Sequence, residues 1–204
     1  MINRVFTLLL CLSWSALAGA ADLPDLIQRE LLDAPLLRGG FEQSKTIAGF
    51  RKPLQSSGDF VLSRDEGVLW RTRKPFASTL ALTREHVLSR QADGSEVLRV
   101  DASRQPAVRA INELLFGLLQ GDVAYLVRHQ FRVLGEPPKA GSWALELQPT
   151  DPLIARLFVR ISLQGDHHVR RVRFEETNGD STEIRFAHLA TGPPMSREER
   201  AALE

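Results

Sequence analysis

The stretch that decides the fold is Ser57-Gly58-Asp59-Phe60-Val61-Leu62-Ser63-Arg64-Asp65-Glu66-Gly67-Val68-Leu69-Trp70. Two runs rich in β-forming residues flank a short polar corner, Asp65-Glu66-Gly67, which reads as a β-hairpin or tight β-corner. Successive side chains on a strand point to opposite faces. Phe60, Leu62 and Arg64 therefore share one face, and Asp59, Val61 and Ser63 the other. A guanidinium in line with two large apolar side chains implies a mostly apolar concave surface with one fixed polar group at its rim.

The same period of two continues outward. Leu37 to Thr46 precedes the corner, with Gly39-Gly40 marking a bend or bulge. After it come Val68 to Arg73, then Ser78 to Arg84, where Leu80 and Leu82 alternate with Thr79, Ala81 and Thr83. His86 to Arg90 and Glu96 to Val100 flank an Asp93-Gly94 turn. Farther on, Gln130 to Glu136 is followed by Ser142 to Gln148, which puts Trp143, Leu145 and Leu147 on one face. Val159, Ile161 and Leu163 alternate with polar residues. Val169 to Glu175 and Thr182 to Leu189 form a hairpin across Asn178-Gly179.

Helical spacing interrupts this pattern. From Asp22 to Ala34, the residues Leu23, Leu26, Ile27, Leu31 and Ala34 make one apolar stripe that Pro35 ends. Pro106 to Leu119 carries Val108, Ile111, Leu114, Leu115, Leu118 and Leu119, and Asp122 caps a short helix to His129. Asp151 to Leu157 is a brief helical excursion. The expected class is α+β, mainly β. About nine to eleven antiparallel strands in meander order, with one side in water, curl into an open barrel. The apolar helices cover or plug its hydrophobic cavity.

Residues 1–20 read as a cleavable secretory signal peptide. Arg4 supplies a basic start, Val5 to Ala16 an apolar run, and Ala18-Gly19-Ala20 a cleavage site. Residues 21–192 then form one domain, and 193–204 a polar, frayed tail. The sole cysteine, Cys11, lies in the signal, so the exported chain must be stabilised by its core alone. Loss of Arg4 leaves 25 basic against 25 acidic residues. That balance argues against nucleic acid as a partner and against tight docking on anionic lipid.

No catalytic constellation stands out. There is no G-x-S-x-G elbow, H-E-x-x-H or phosphate-cradling loop. Gly179-Asp180-Ser181 resembles a lipase nucleophile block but sits in a hairpin turn. His167-His168 are neighbours on a strand and point apart, so they cannot chelate one ion there. Glu175-Glu176 and Asp65-Glu66 fall at strand ends and turns, where solvated charge is ordinary. The expectation is a protein without catalysis, cofactor or metal.

Several residues carry a resemblance to the LolA family of periplasmic lipoprotein carriers. Phe41-Glu42-Gln43 resembles the F-x-Q signature of the family's first strand. Gly58-Asp59-Phe60, Arg64 and Trp70 keep the family's glycine, arginine and tryptophan without a gap, and Lys74-Pro75 resembles the proline that follows. The likeness runs from the first helix to about Leu189. It implies an open barrel around a hydrophobic cavity with helices as a lid. Arg64 matches an arginine that holds the lid closed by bonds to carbonyls at lid-helix ends. Leu31 matches a lid leucine, and Trp70 a tryptophan on the cavity side. Cavity and lid would then comprise Arg64, Leu31, Phe41, Phe60, Leu62, Trp70, Leu80, Leu82, Leu114, Leu115, Leu118 and Trp143. The resemblance implies a periplasmic monomer that carries an acylated lipoprotein or other lipid from an inner-membrane donor complex to an outer-membrane acceptor. The alternative is a structural or sensor domain on the same fold.

Overall fold

A computed structural model describes residues 23–101, 109–110, 113–114, 116–117, 122, 125–126, 129–135 and 141–204. Helix α1 spans Leu23–Glu30. The first six strands are β1 (Leu36–Thr46), β2 (Leu54–Ser63), β3 (Gly67–Lys74), β4 (Ser78–Leu82), β5 (His86–Gln91) and β6 (Glu96–Asp101). After the central segment come β7 (Phe131–Gly135), β8 (Trp143–Pro149), β9 (Phe158–Gly165), β10 (Val169–Glu176) and β11 (Ser181–Thr191). Two further short helices among the described residues are α2 (Pro152–Ala155) and α3 (Arg197–Ala201).

All eleven strands form one sheet in the order β6-β5-β4-β3-β2-β1-β11-β10-β9-β8-β7. Every pairing is antiparallel, and β1 joins the two meanders by pairing with both β2 and β11. The sheet is not closed: β6 and β7 are its edges. The chain leaves one edge and returns at the other through residues 102–130, whose described members at 109–110, 113–114, 116–117, 125–126 and 129 are helical. Asp122 accepts from the Tyr125 backbone N–H at 3.1 Å, the cap expected there. A side chain on Gly117 would run into Leu126 at 2.7 Å, so these helical residues pack closely on one another.

The main hydrophobic core lies inside the curled sheet. It joins Ile27 of α1 and the helical residues Leu114, Phe116 and Leu126 to inward residues of both meanders, among them Phe41, Phe60, Leu82, Trp143, Leu145, Ile161, Val172 and Phe186. Alternation along β8, with Trp143, Leu145 and Leu147 buried, follows the expected period. Strand β9 departs from it. Val159 was expected inside, yet it is 52% exposed, and Phe158 packs inward on Phe174 at 5.3 Å between ring centroids. The register shift between Glu175 and Glu176 is the cause, since one extra residue on β9 flips the faces beyond it.

The outer face of β1–β5 is not left to water as expected. Leu36, Val61, Leu69, Ala81 and Leu88 form a second core beneath Met195 and Leu203. The segment 193–204, expected to fray, is strapped over them. Ser196 and Glu199 form a capping box at the start of α3. Arg38 donates to Pro193 O and to Glu199, each at 2.8 Å. His86 donates to Leu203 O at 2.7 Å, and Arg90 to Ala202 O at 3.1 Å.

Helix α1 is shorter than the predicted 22–34; Asp22, its expected cap, lies outside the described residues. Leu31 N still donates to Ile27 O at 3.2 Å, and beyond it the backbone bonds to other elements. Leu32 N donates to His167 O at 2.9 Å, and Pro35 O accepts from Arg64 N at 3.1 Å.

Candidate functional site

The G-D-F motif builds the floor of the site. A Cβ at Gly58 would lie 1.9 Å from Arg71 O and 2.9 Å from Phe41 Cε1, so only glycine lets β3 and the Phe41 ring approach. Phe41 crosses this gap and stacks on Trp70, ring centroids 3.8 Å apart. Phe60 also stacks on Trp70 at 5.9 Å, and Phe186 meets Phe60 edge-on at 5.4 Å. Asp59, on the outer face, instead accepts from Arg71 Nε at 2.5 Å and Arg73 Nε at 2.8 Å.

Above this floor a cleft opens between the end of α1 and the sheet. Leu31, Leu37, Phe60, Leu62, Phe186 and His168 line it. Its free volume is only about 30 Å³, room for about one water. A larger cleft, about 440 Å³, lies between the β4–β5 turn and the helical cover, lined by Arg84, Arg109, Glu113, Phe116, Asp122 and Tyr125. The first cleft is nearly filled by its own side chains, most of them apolar, whereas the second has charged residues Arg84, Arg109, Glu113 and Asp122 in its lining.

Arg64 follows directly on β2, at the rim. Its described side-chain partner is the carboxylate of Asp33, three residues beyond the end of α1. Because α1 stops early, a side chain of the segment after it reaches the guanidinium; the carbonyls expected at the lid-helix ends lie in part outside the described residues. The hydrogen bond and charge of Arg64 hold the Asp33 carboxyl below its ordinary value. In return Asp33, chiefly by its hydrogen bond, raises Arg64, with smaller contributions from Asp65 and Asp122. Asp122 belongs to the helical cover, so Arg64 lies in the field of both covering segments. The pair is exposed, 40% at Arg64 and 78% at Asp33, which makes it a weak, salt-screened tie.

The remaining expected residues fall into place around these features. Leu31 and Trp70 pack against the main core, and Phe41, Phe60, Leu62, Leu82, Leu114 and Trp143 are buried within it. Leu80 is half-buried opposite Trp70 on β4. Leu115 and Leu118 lie outside the described residues. The aromatic floor therefore gathers Phe41, Phe60 and Trp70, while Trp143 stands apart beneath the β9–β10 turn and donates to Asp166 O at 2.6 Å.

Asp33, Phe186 and His168 were not expected at the site. Phe186 falls on the expected 182–189 strand, but nothing local in the sequence pairs it with Phe60. His167 and His168 do point apart. His167 Nδ1 donates to Glu30 O at 3.0 Å, holding α1 to the β9–β10 turn. His168 turns into the cleft. Burial, then the charge of Arg170, lowers its pKa from the ordinary 6.5. Among the described residues no group of three or more His, Cys, Asp or Glu could hold a metal ion, and no helix is long and apolar enough to cross a membrane.

Residues 34–199 match the family model described as outer membrane lipoprotein carrier protein LolA. No curated protein matches the chain. A solved structure of a DUF1329 family protein from Desulfovibrio piger is 16% identical, with a TM-score of 0.52 over 89% of this chain and 97% of that one. LolA superfamily protein NE2245 from Nitrosomonas europaea is 8% identical, with a TM-score of 0.44 over 85% and 93%. A chain of the MucA/MucB complex from Pseudomonas aeruginosa is 16% identical, with a TM-score of 0.47 over 88% of this chain and 60% of that one. The Desulfovibrio likeness is one of fold, and it agrees with the open antiparallel sheet described above. With the family model spanning most of its length, the chain belongs to the LolA family of outer membrane lipoprotein carrier proteins.

Proposed function

We propose that the protein is a periplasmic carrier that shields the acyl chains of a lipoprotein or related lipid in its interior, without catalysis. It would take cargo from an inner-membrane donor and hand it to an outer-membrane acceptor, after export by a signal at residues 1–20. The need is one of solvation. Three acyl chains hold roughly 45 methylenes at about 0.8 kcal/mol each, so exposing them costs on the order of 30 kcal/mol. Unaided transit through an aqueous compartment is then negligible.

The observation that carries this reading is the closed apolar cleft under a weak tie. A drug-sized ligand takes roughly 300–1,000 Å³, and the cleft beside Leu31 leaves about 30 Å³. Cargo can enter this cleft only by displacing the segment after α1, and deeper entry would displace Ile27, Leu114 and Leu126 from the apolar surface that cargo would bury. Lid and cargo thus compete for one surface. This competition keeps the affinity for cargo below that of a membrane, so release remains possible. The Arg64–Asp33 pair adds to the closed state and is lost on opening.

The experiment is a two-membrane transfer assay with an acylated cargo. Arg64→Leu weakens the closed state, so this variant should load cargo and deliver it poorly. Normal delivery by Arg64→Leu would remove the role given to the tie. Failure of the wild-type protein to load any acylated cargo would remove the carrier reading.

A further inference from the structure

Both ring nitrogens of His168 are sealed from water and have no hydrogen-bond partner among the described residues. Such orphaned buried groups are rare and ask for an explanation. The ring lines the cleft beside Leu31, Phe60, Leu62 and Phe186, where the other walls are mainly apolar. We propose that His168 is a polar recognition group of this cleft, reading a neutral hydroxyl or carbonyl next to the acyl chains of a bound lipid. The inference rests on the carrier reading and deepens it.

The ring is held on a rigid turn. His168 N donates to Asp166 Oδ1 at 2.9 Å, and Asp166 N donates back to His168 O at 3.1 Å. Trp143 pins the turn from beneath through Asp166 O. A Cβ on Gly165 would meet His168 O at 2.2 Å and the Trp143 ring at 2.5 Å, so the turn closes only around glycine. A side chain so placed is suited to recognition, because little freedom is lost when it bonds a ligand.

The chemistry of the ligand follows from the ring and its surroundings. A neutral imidazole offers one donor and one acceptor. Glycerol esters and amide-linked acyl groups present acceptors, and often a donor, close to the chain. An anionic phosphate fits less well. The nearby cations, Arg170 and Arg64, are each engaged with a carboxylate, Asp166 and Asp33. Those carboxylates leave little net positive field for a phosphate. A purely hydrocarbon ligand would leave both nitrogens orphaned, which gives the site a preference between lipids with equal chains.

The test is displacement of a fluorescent fatty-acid probe from the purified protein by three competitors of equal chain length: a monoacylglycerol, a lysophosphatidic acid and an alkane delivered from cyclodextrin. The wild type should prefer the monoacylglycerol to the alkane by about tenfold. His168→Leu should abolish that preference and leave the alkane unchanged. His168→Gln, whose amide also donates and accepts, should restore part of it. An unchanged preference in His168→Leu, or a wild-type preference for the phosphate, overturns the assignment to His168 while the carrier reading stands. Failure of the wild type to bind the probe at all overturns the carrier reading and this inference with it.

Discussion

Arg64 and Asp33 meet beside the cleft, next to its lining residues Leu62, Leu32 and Ala34, and tie the β2–β3 corner to the segment that follows α1. The backbone repeats the connection, since Arg64 N donates to Pro35 O at 3.1 Å. On the proposed carrier reading, the backbone bond would serve as the hinge and the side-chain pair as the catch. Asp33→Asn is then expected to reproduce the effect of Arg64→Leu, with probe dissociation slowed severalfold. Exchanging the charges by Arg64→Asp with Asp33→Arg should restore it. Because Asp33 titrates below its ordinary value, the catch is present at neutral pH and is lost as pH falls through that lowered value. Stopped-flow dissociation of the probe checks both.

Gly58 has no room for a methyl group, with Arg71 O at 1.9 Å from the position of a Cβ. Gly58→Ala must push β3 away from β2 and unstack Phe41 from Trp70. A destabilisation above about 3 kcal/mol is expected, at the severe end of single substitutions. Urea unfolding with near-ultraviolet circular dichroism of Trp70 reads the stability and the ring environment together.

Leu203 and Met195 seal the second core on the outer face of the sheet. Leu203→Ala removes a buried side chain and should cost about 2–3 kcal/mol. Probe binding in the cleft should persist, because the two cores lie on opposite faces. Thermal unfolding together with probe titration separates these effects.

His168 is kept neutral in the folded protein, first by burial and then by Arg170. As pH falls below the ordinary value of 6.5, the unfolded chain takes up a proton that the folded chain still refuses. Stability should therefore be intact above that value, decline below it, and level off once the folded ring also protonates. His168→Phe should flatten the decline. Urea midpoints at about pH 7.5 and about pH 5.5, on either side of an unperturbed histidine, give the comparison.

The strands were legible in the sequence because most of the sheet buries one face, and a period of two survives wherever that holds. Leu145 and Leu147 fall where alternation places them, and so do Phe60 and Leu62. Val159 does not, because a bulge leaves no mark in the hydrophobic pattern. The strap escaped notice for a different reason. Met195 and Leu203 are isolated apolar residues eight positions apart in a polar segment, and only the folded sheet brings them over Val61 and Leu69. At the site, Gly58, Arg64 and Trp70 could be read from their resemblance to the motif of the LolA family. Asp33 and His168 could not, since their roles depend on where α1 stops and on which way one turn faces.

A carrier of this kind must accept acyl chains in its interior. Native mass spectrometry of the protein purified from the periplasm, followed by organic extraction of what it holds, asks this most directly. A co-purifying acylated species, whose release accompanies opening of the Arg64–Asp33 pair, is the expected result. A protein that emerges free of lipid and also fails to bind a fluorescent fatty-acid probe would contradict it.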